Sequence, residues 1–204
     1  MPLLAWDMML ANKITVTRLL LVPVFAFFGL WYGQTVATGN PDESLRWIAL
    51  AIFVTASASD ALDGWIARHF NQRSKFGAFM DPLADKTLLL TGVTVLSCVD
   101  WGPDGWRLPA WFTAIVVGRD CLIIFGLWYL HAHRYKLLFA PHWSGKFSTV
   151  TQMFAVGWVM LKVVPLSPVY PAIVAGVFTV WSGVIYVRQG LGIIRGSRLV
   201  DERA

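Results

Sequence analysis

The sequence predicts an all-α integral membrane protein, with six transmembrane helices and a short N-terminal interfacial helix. Three observations carry that expectation. Only 14% of the 204 residues are charged and 56% are hydrophobic, whereas soluble domains carry about 25% charged residues. The apolar residues gather in runs close to the ~20 residues that a spanning helix needs. The chain also holds eleven Trp, a residue that favours the membrane–water interface. The net charge is +5. With no soluble basic domain to present it, this charge suits anionic lipid headgroups and not nucleic acid.

The apolar stretches fall at about 14–32, 46–68, 78–98, 109–130, 147–165 and 168–187. Residues 3–11 are too short to span, and Leu3, Trp6 and Leu10 share one helical face, so a helix lying in the interface is expected there. The fifth and sixth stretches are separated by Pro165-Leu166-Ser167-Pro168, which predicts a helical hairpin. Basic residues sit on one set of loops. Lys13 and Arg18, Arg68, Arg73 and Lys75, Arg134, Lys136 and Lys146, and Arg188, Arg195, Arg198 and Arg203 lie on one side, while Asp42, Glu43, Asp100 and Asp104 lie on the other. That bias puts both termini in the cytoplasm, in keeping with an even number of spans. Cys98 and Cys121 form no CxxC pair and read as packing residues. No repeat or linker interrupts the chain, so one domain over 1–204 is expected.

Two of the apolar stretches carry aspartates. Asp60 and Asp63 are three residues apart near the end of the second, and Asp81 and Asp85 are four apart near the start of the third. Either spacing puts a pair on one helix face. The short connection makes the two helices antiparallel neighbours, so the carboxylate faces can meet at one depth. A single ionised side chain in mid-membrane already costs at least ~2.5 kcal/mol. Four carboxylates therefore call for compensating cations, and hard divalent ions with oxygen ligands fit. Two such ions a few ångströms apart are a recurrent device for in-line displacement at phosphorus. Gly64 and Ala67, and Gly77 opposite, leave room for a bulky ligand, and Arg68 can meet a phosphate. A cation or proton transporter would also use buried carboxylates. Its site would sit near the midplane with broken or repeated helices, whereas these aspartates lie toward one end of their spans.

The run Asp60-x2-Asp63-Gly64-x2-Ala67-Arg68-x8-Gly77-x3-Asp81-x3-Asp85 resembles the complete signature of the CDP-alcohol phosphotransferase family, with eight specified residues over 26 positions. The resemblance implies a single membrane domain of that family with a six-helix fold, usually dimeric, dependent on Mg²⁺ or Mn²⁺. It implies that Asp60, Asp63 and Asp81 hold two metal ions with Asp85 beside them as general base. Gly64, Ala67, Arg68 and Gly77 would then line the site for the CDP part of the donor. The acceptor hydroxyl would attack the donor phosphorus directly, with no covalent enzyme intermediate.

Outside the signature, three segments resemble phosphatidylglycerophosphate synthases. They are Asn12-Lys13-Ile14-Thr15-Val16-Thr17-Arg18, the run from Asn71 to Pro82, and Gly145-Lys146-x-Ser148-Thr149-x2-Gln152. This implies CDP-diacylglycerol as donor and glycerol 3-phosphate as acceptor. Arg119, deep in the fourth span, and Lys146 are the cations expected to bind the acceptor phosphate. Arg119 could instead form a structural ion pair with Asp120. The Arg119-Asp120 pair departs from the Arg-Glu usual in those synthases and resembles cardiolipin synthases of the family, which use phosphatidylglycerol. An inositol phosphate acceptor is a further alternative. His131-x-His133 has no third ligand nearby, so interfacial histidines are expected there and not a zinc site.

Overall fold

A computed structural model describes residues 3–69, 75–133, 143–163 and 165–201, with the side chains of 17–59, of most of 86–133, and of 143–163 and 165–194. Among the described residues there are six α-helices, one 3-10 turn and no strand. The helices are α1 (Leu3–Ala37), α2 (Glu43–His69), α3 (Lys75–Cys98), α4 (Ala110–Ala132), α5 (Trp143–Leu161) and α6 (Val169–Asp201).

Three of them are long and apolar enough to cross a membrane by length and composition, over Thr17–Ala37, Ala110–Leu130 and Val169–Ile194. A fourth apolar segment, Lys86–Cys98, is shorter. The chain is thus an integral membrane protein. The large apolar side chains of these helices point outward, as lipid demands: Phe125, Trp128 and Trp181 are each more than 60% exposed.

Two helices differ from the sequence expectation. Residues 3–11 do not form a separate helix, because α1 runs unbroken from Leu3 to Ala37 through Pro23. No glycine or proline interrupts residues 3–22 to end a first helix. At 35 residues it is roughly 50 Å long, well beyond the ~30 Å hydrocarbon core. The sixth helix was expected to stop near 187, but α6 continues to Asp201. Its apolar part reaches Ile194, and the more polar turns from 195 to Asp201 stay helical.

The chain divides into two compact units, Met1–Arg107 with Val159–Val163, and Leu108–Trp158 with Val164–Ala204. In the first, α1 packs against α2 and α3, and α2 against α3. Gly29 and Gly33 let α1 approach α3 closely. A Cβ on Gly33 would fall 2.5 Å from Val99 Cβ, and one on Gly29 2.8 Å from Val95. Phe25 meets Phe53 of α2 at 5.5 Å between ring centroids. α1 ends in a Schellman turn, with Gly39 at φ 75°. There the Gly39 amide donates to Val36 and the Asn40 amide to Thr35. Asp42 then caps α2 by accepting from the Ser44 amide at 3.0 Å.

A charged network closes one end of this unit. The Arg46 guanidinium bonds the Glu43 carboxylate and donates to the Met160 and Leu161 carbonyls at 2.9 and 3.3 Å. It thereby satisfies backbone oxygens at the C-terminal end of α5, where a cation also complements the helix dipole. Lys162, the next residue, adopts φ 52°, a conformation that disfavours side chains other than glycine. Its ammonium donates to the Tyr32 hydroxyl and lies 3.6 Å from Glu43. Tyr32 in turn donates to Glu43 at 3.0 Å, and its ring meets the fully buried Trp101 edge-on.

In the second unit α4 packs on α6. Gly176 lies against the Trp111 ring, and Gly183 against the aliphatic stem of Arg119, so small residues set the close approach.

Glu43 begins α2, outside the apolar spans. Burial works to raise its carboxyl pKa, but hydrogen bonds from Arg46 and Tyr32 and the charge of Lys162 outweigh it and hold the pKa below the ordinary 4.5. A depressed carboxylate stabilises the fold above its unfolded pKa and loses that contribution as pH falls through the folded value. Glu43→Gln should therefore lower the unfolding midpoint of the purified protein at pH 7. The gap to wild type should close as pH drops below about 4.5. A gap that persists unchanged at pH 3 would contradict this role.

Candidate active site

α2 runs to His69 and α3 starts at Lys75. Asp60 and Asp63 therefore lie in the last three turns of α2, and Asp81 and Asp85 in the first three turns of α3. Gly64, Ala67 and Arg68 share α2 with the first pair, and Gly77 shares α3 with the second. Both helices belong to one unit and pack on each other. The side chains of all eight lie outside the described residues, as do residues 70–74. Helical backbone at these positions keeps the three- and four-residue spacings on single faces. Carboxylate oxygens at such spacing on two neighbouring helices are a donor set that fits Mg²⁺ or Mn²⁺. Among the described side chains, no group of three His, Cys, Asp or Glu gathers elsewhere.

Arg18, counted in the sequence as a surface cation setting orientation, is 1% exposed and packs inside the first unit. The apolar residues around it in sequence gave the only hint. A charged group on a face shared with core residues such as Val22 and Phe25 has to be buried with them.

The second unit builds a site around Arg119. Its side chain is only 9% exposed. Nη1 bonds the Asp120 carboxylate at 2.6 Å, so the ion pair considered from the sequence does form. Nη2 donates to Ser182 Oγ at 2.9 Å, and the guanidinium lies 5.5 Å from the Tyr186 ring centroid. Nε is buried with no hydrogen-bond partner among the described residues. The first turn of α5 comes close: a Cβ on Gly145 would fall 3.0 Å from the Tyr186 hydroxyl and 3.6 Å from Arg119 Nη2. Lys146, next along that turn, is exposed. Arg119 and the α5 turn bearing Lys146 are thus neighbours.

Ser148 and Gln152 of the same α5 segment turn out to serve packing. Gln152 Nε2 donates to Ser148 Oγ at 3.1 Å and to Thr179 Oγ1 at 2.8 Å. Ser148 and Thr179 also bond each other at 3.1 Å, and all three are buried. Thr179 donates to the Ala175 carbonyl at 2.7 Å. This closed polar cluster joins α5 to α6 within apolar surroundings. His133 packs against the Tyr129 ring at 4.2 Å.

Residues 8–187 match the family model described as CDP-alcohol phosphatidyltransferase. The chain belongs to that family. The match spans both units and takes in every residue of the aspartate signature as well as Arg119 and Lys146. Among curated relatives, a Mycobacterium tuberculosis protein (strain H37Rv) named probable phosphatidylglycerophosphate synthase is 37% identical over 196 residues, covering 93% of this chain and 85% of that one. A Bacillus subtilis (strain 168) CDP-diacylglycerol–glycerol-3-phosphate 3-phosphatidyltransferase is 34% identical over 197 residues, covering 92% and 98%. A Streptomyces coelicolor cardiolipin synthase (CMP-forming) is 30% identical over 202 residues, covering 93% and 86%.

In this family member, Gln152→Leu tests the division of labour along α5. Losing the two bonds that Gln152 donates should lower stability by about 1 kcal/mol, read as a lower unfolding midpoint in detergent. The KM values for both substrates should be unchanged. A raised substrate KM at unchanged stability would instead make Gln152 part of the binding site.

Proposed function

We propose that the chain transfers the phosphatidyl group of CDP-diacylglycerol to glycerol 3-phosphate, releasing CMP and forming phosphatidylglycerophosphate in phospholipid biosynthesis. The observation that carries this is the full aspartate signature on α2 and α3, in a chain 37% and 34% identical to relatives named for that reaction.

In this reading residues 1–204 work as one domain with six membrane spans, and the chain functions as a homodimer. Both termini and the site face the cytoplasm, a reading that rests on the one-sided basic loops. Asp60, Asp63, Asp81 and Asp85 hold two divalent ions, Mg²⁺ or Mn²⁺. When bound, such ions neutralise the donor diphosphate and stabilise the departing CMP. Gly64, Ala67 and Gly77 leave room for the CDP group, and Arg68 pairs with its phosphate. Asp85 takes the proton from the acceptor hydroxyl. The acceptor oxygen bonds to the phosphorus that carries diacylglycerol, and the bond from that phosphorus to the CMP oxygen breaks. Arg119 and Lys146 bind the acceptor phosphate. The buried Nε of Arg119, without a hydrogen-bond partner among the described residues, supports its part in this, because a buried donor gains most from a charged acceptor.

The second reading, a cardiolipin synthase with phosphatidylglycerol as acceptor, draws on the Arg119–Asp120 pair and the Streptomyces coelicolor relative. The deciding assay supplies purified protein with CDP-diacylglycerol and Mg²⁺ and offers each acceptor in turn, following CMP release. Glycerol 3-phosphate should be used about a hundredfold better than free glycerol, since two charge-assisted bonds are each worth ~1.5–3 kcal/mol and are not fully additive. Arg119→Ala and Lys146→Ala should raise the acceptor KM and spare the donor KM. Asp85→Asn should abolish turnover while retaining donor binding. Strong turnover with phosphatidylglycerol and none with glycerol 3-phosphate would establish the second reading instead. Turnover with inositol phosphate alone would overturn both.

A further inference from the structure

We infer that Ser182 and Tyr186 of α6 are positioning residues that fix the Arg119 guanidinium in the orientation in which it receives the acceptor phosphate. The inference rests on the role proposed above for Arg119.

An arginine side chain has many rotamers, and orienting it costs entropy before any anion binds. Here that orientation is set by the protein. Gly183 lets the stem lie flat on α6, with its Cγ 3.6 Å from where a Cβ would be. One turn of α6 then supplies two contacts to the head. Ser182 Oγ, on a fully buried residue, accepts from Nη2 at 2.9 Å. The Tyr186 ring, four residues on, lies under the guanidinium plane at 5.5 Å. Asp120 takes Nη1 at 2.6 Å from the remaining side. Each Nη makes one of these bonds and keeps a second N–H, and Nε is buried with no hydrogen-bond partner among the described residues. A guanidinium recognises phosphate best through adjacent N–H groups on one edge. Nε–H and a second N–H on an Nη are the donors these contacts leave for an anion. Gly145, in the first turn of α5, has no side chain to crowd Tyr186 or Arg119.

The positioning role predicts a split that a merely structural role would not produce. In purified full-length protein, Ser182→Ala should raise the glycerol 3-phosphate KM by about 3- to 10-fold, the range expected for one hydrogen bond. Tyr186→Leu should raise it by a similar factor through loss of the ring. Tyr186→Phe, which keeps the ring, should restore the wild-type value. The CDP-diacylglycerol KM and kcat should stay within about twofold, again for one hydrogen bond that the donor does not use. Unfolding midpoints measured alongside separate folding damage from the effect sought. Unchanged acceptor KM in Ser182→Ala and Tyr186→Leu, with a raised KM in Arg119→Ala, would overturn the positioning role and leave Arg119 standing. Unchanged KM in Arg119→Ala as well would overturn the role of Arg119 itself. A fall in kcat and unfolding midpoint with no change in acceptor KM would make the two residues structural only.

Discussion

Four carboxylates on two neighbouring helices of a membrane protein set the terms for the rest of the molecule. In the proposed function lipid offers no water to screen them, and each ionised side chain at depth costs energy that only a cation or a proton can return. The helices that bear them must also be held still, because like charges facing one another push apart unless the backbone is fixed. α1 does this by packing against α2 and α3 together, with Gly33 pressed to Val99 and Phe25 to Phe53. The polar burden is concentrated on α2 and α3, and the plainly lipid-soluble helices are α1, α4 and α6.

The far end of α2 carries its own charges, and there the solution is different. Arg46 and Lys162 share the Glu43 carboxylate, Tyr32 bonds it as well, and Arg46 caps backbone carbonyls. The network ties the start of α2 to the end of α5 and holds Lys162 in a left-handed conformation. Arg119 stands between these cases. One of its Nη groups is paired with Asp120 and the other bonded to Ser182, while its buried Nε has no hydrogen-bond partner among the described residues. A closed network suits a structural joint, whereas an incomplete one suits a ligand site.

The helical class and the presence of apolar spans were legible in the sequence because composition and run length report directly on the solvent. The signature was legible because its chemistry depends on spacing along single helices, which helical geometry preserves. Three features were not. The continuity of α1 was hidden because residues 3–11 have an interfacial pattern of their own, yet nothing in residues 3–22 breaks the helix. The burial of Arg18 was hidden because a cation near a helix start reads as a topology signal until its neighbours are known to be core. The packing role of Ser148 and Gln152 was hidden because their partner, Thr179, lies about thirty residues away on α6 and only the folded chain joins them. Lys146, read with Arg119 as one pair of cations, is exposed, while Arg119 is held on three sides.

In the proposed function the aspartates of α2 and α3 hold divalent ions as a shared site. Mn²⁺ titrated into the purified protein and followed by electron paramagnetic resonance tests it without reliance on turnover. The account predicts two bound ions per chain with a spin-coupled signal, as expected for ions a few ångströms apart, and loss of that coupling in Asp63→Asn. Two independent, uncoupled ions, or coupling that survives Asp63→Asn, would contradict it.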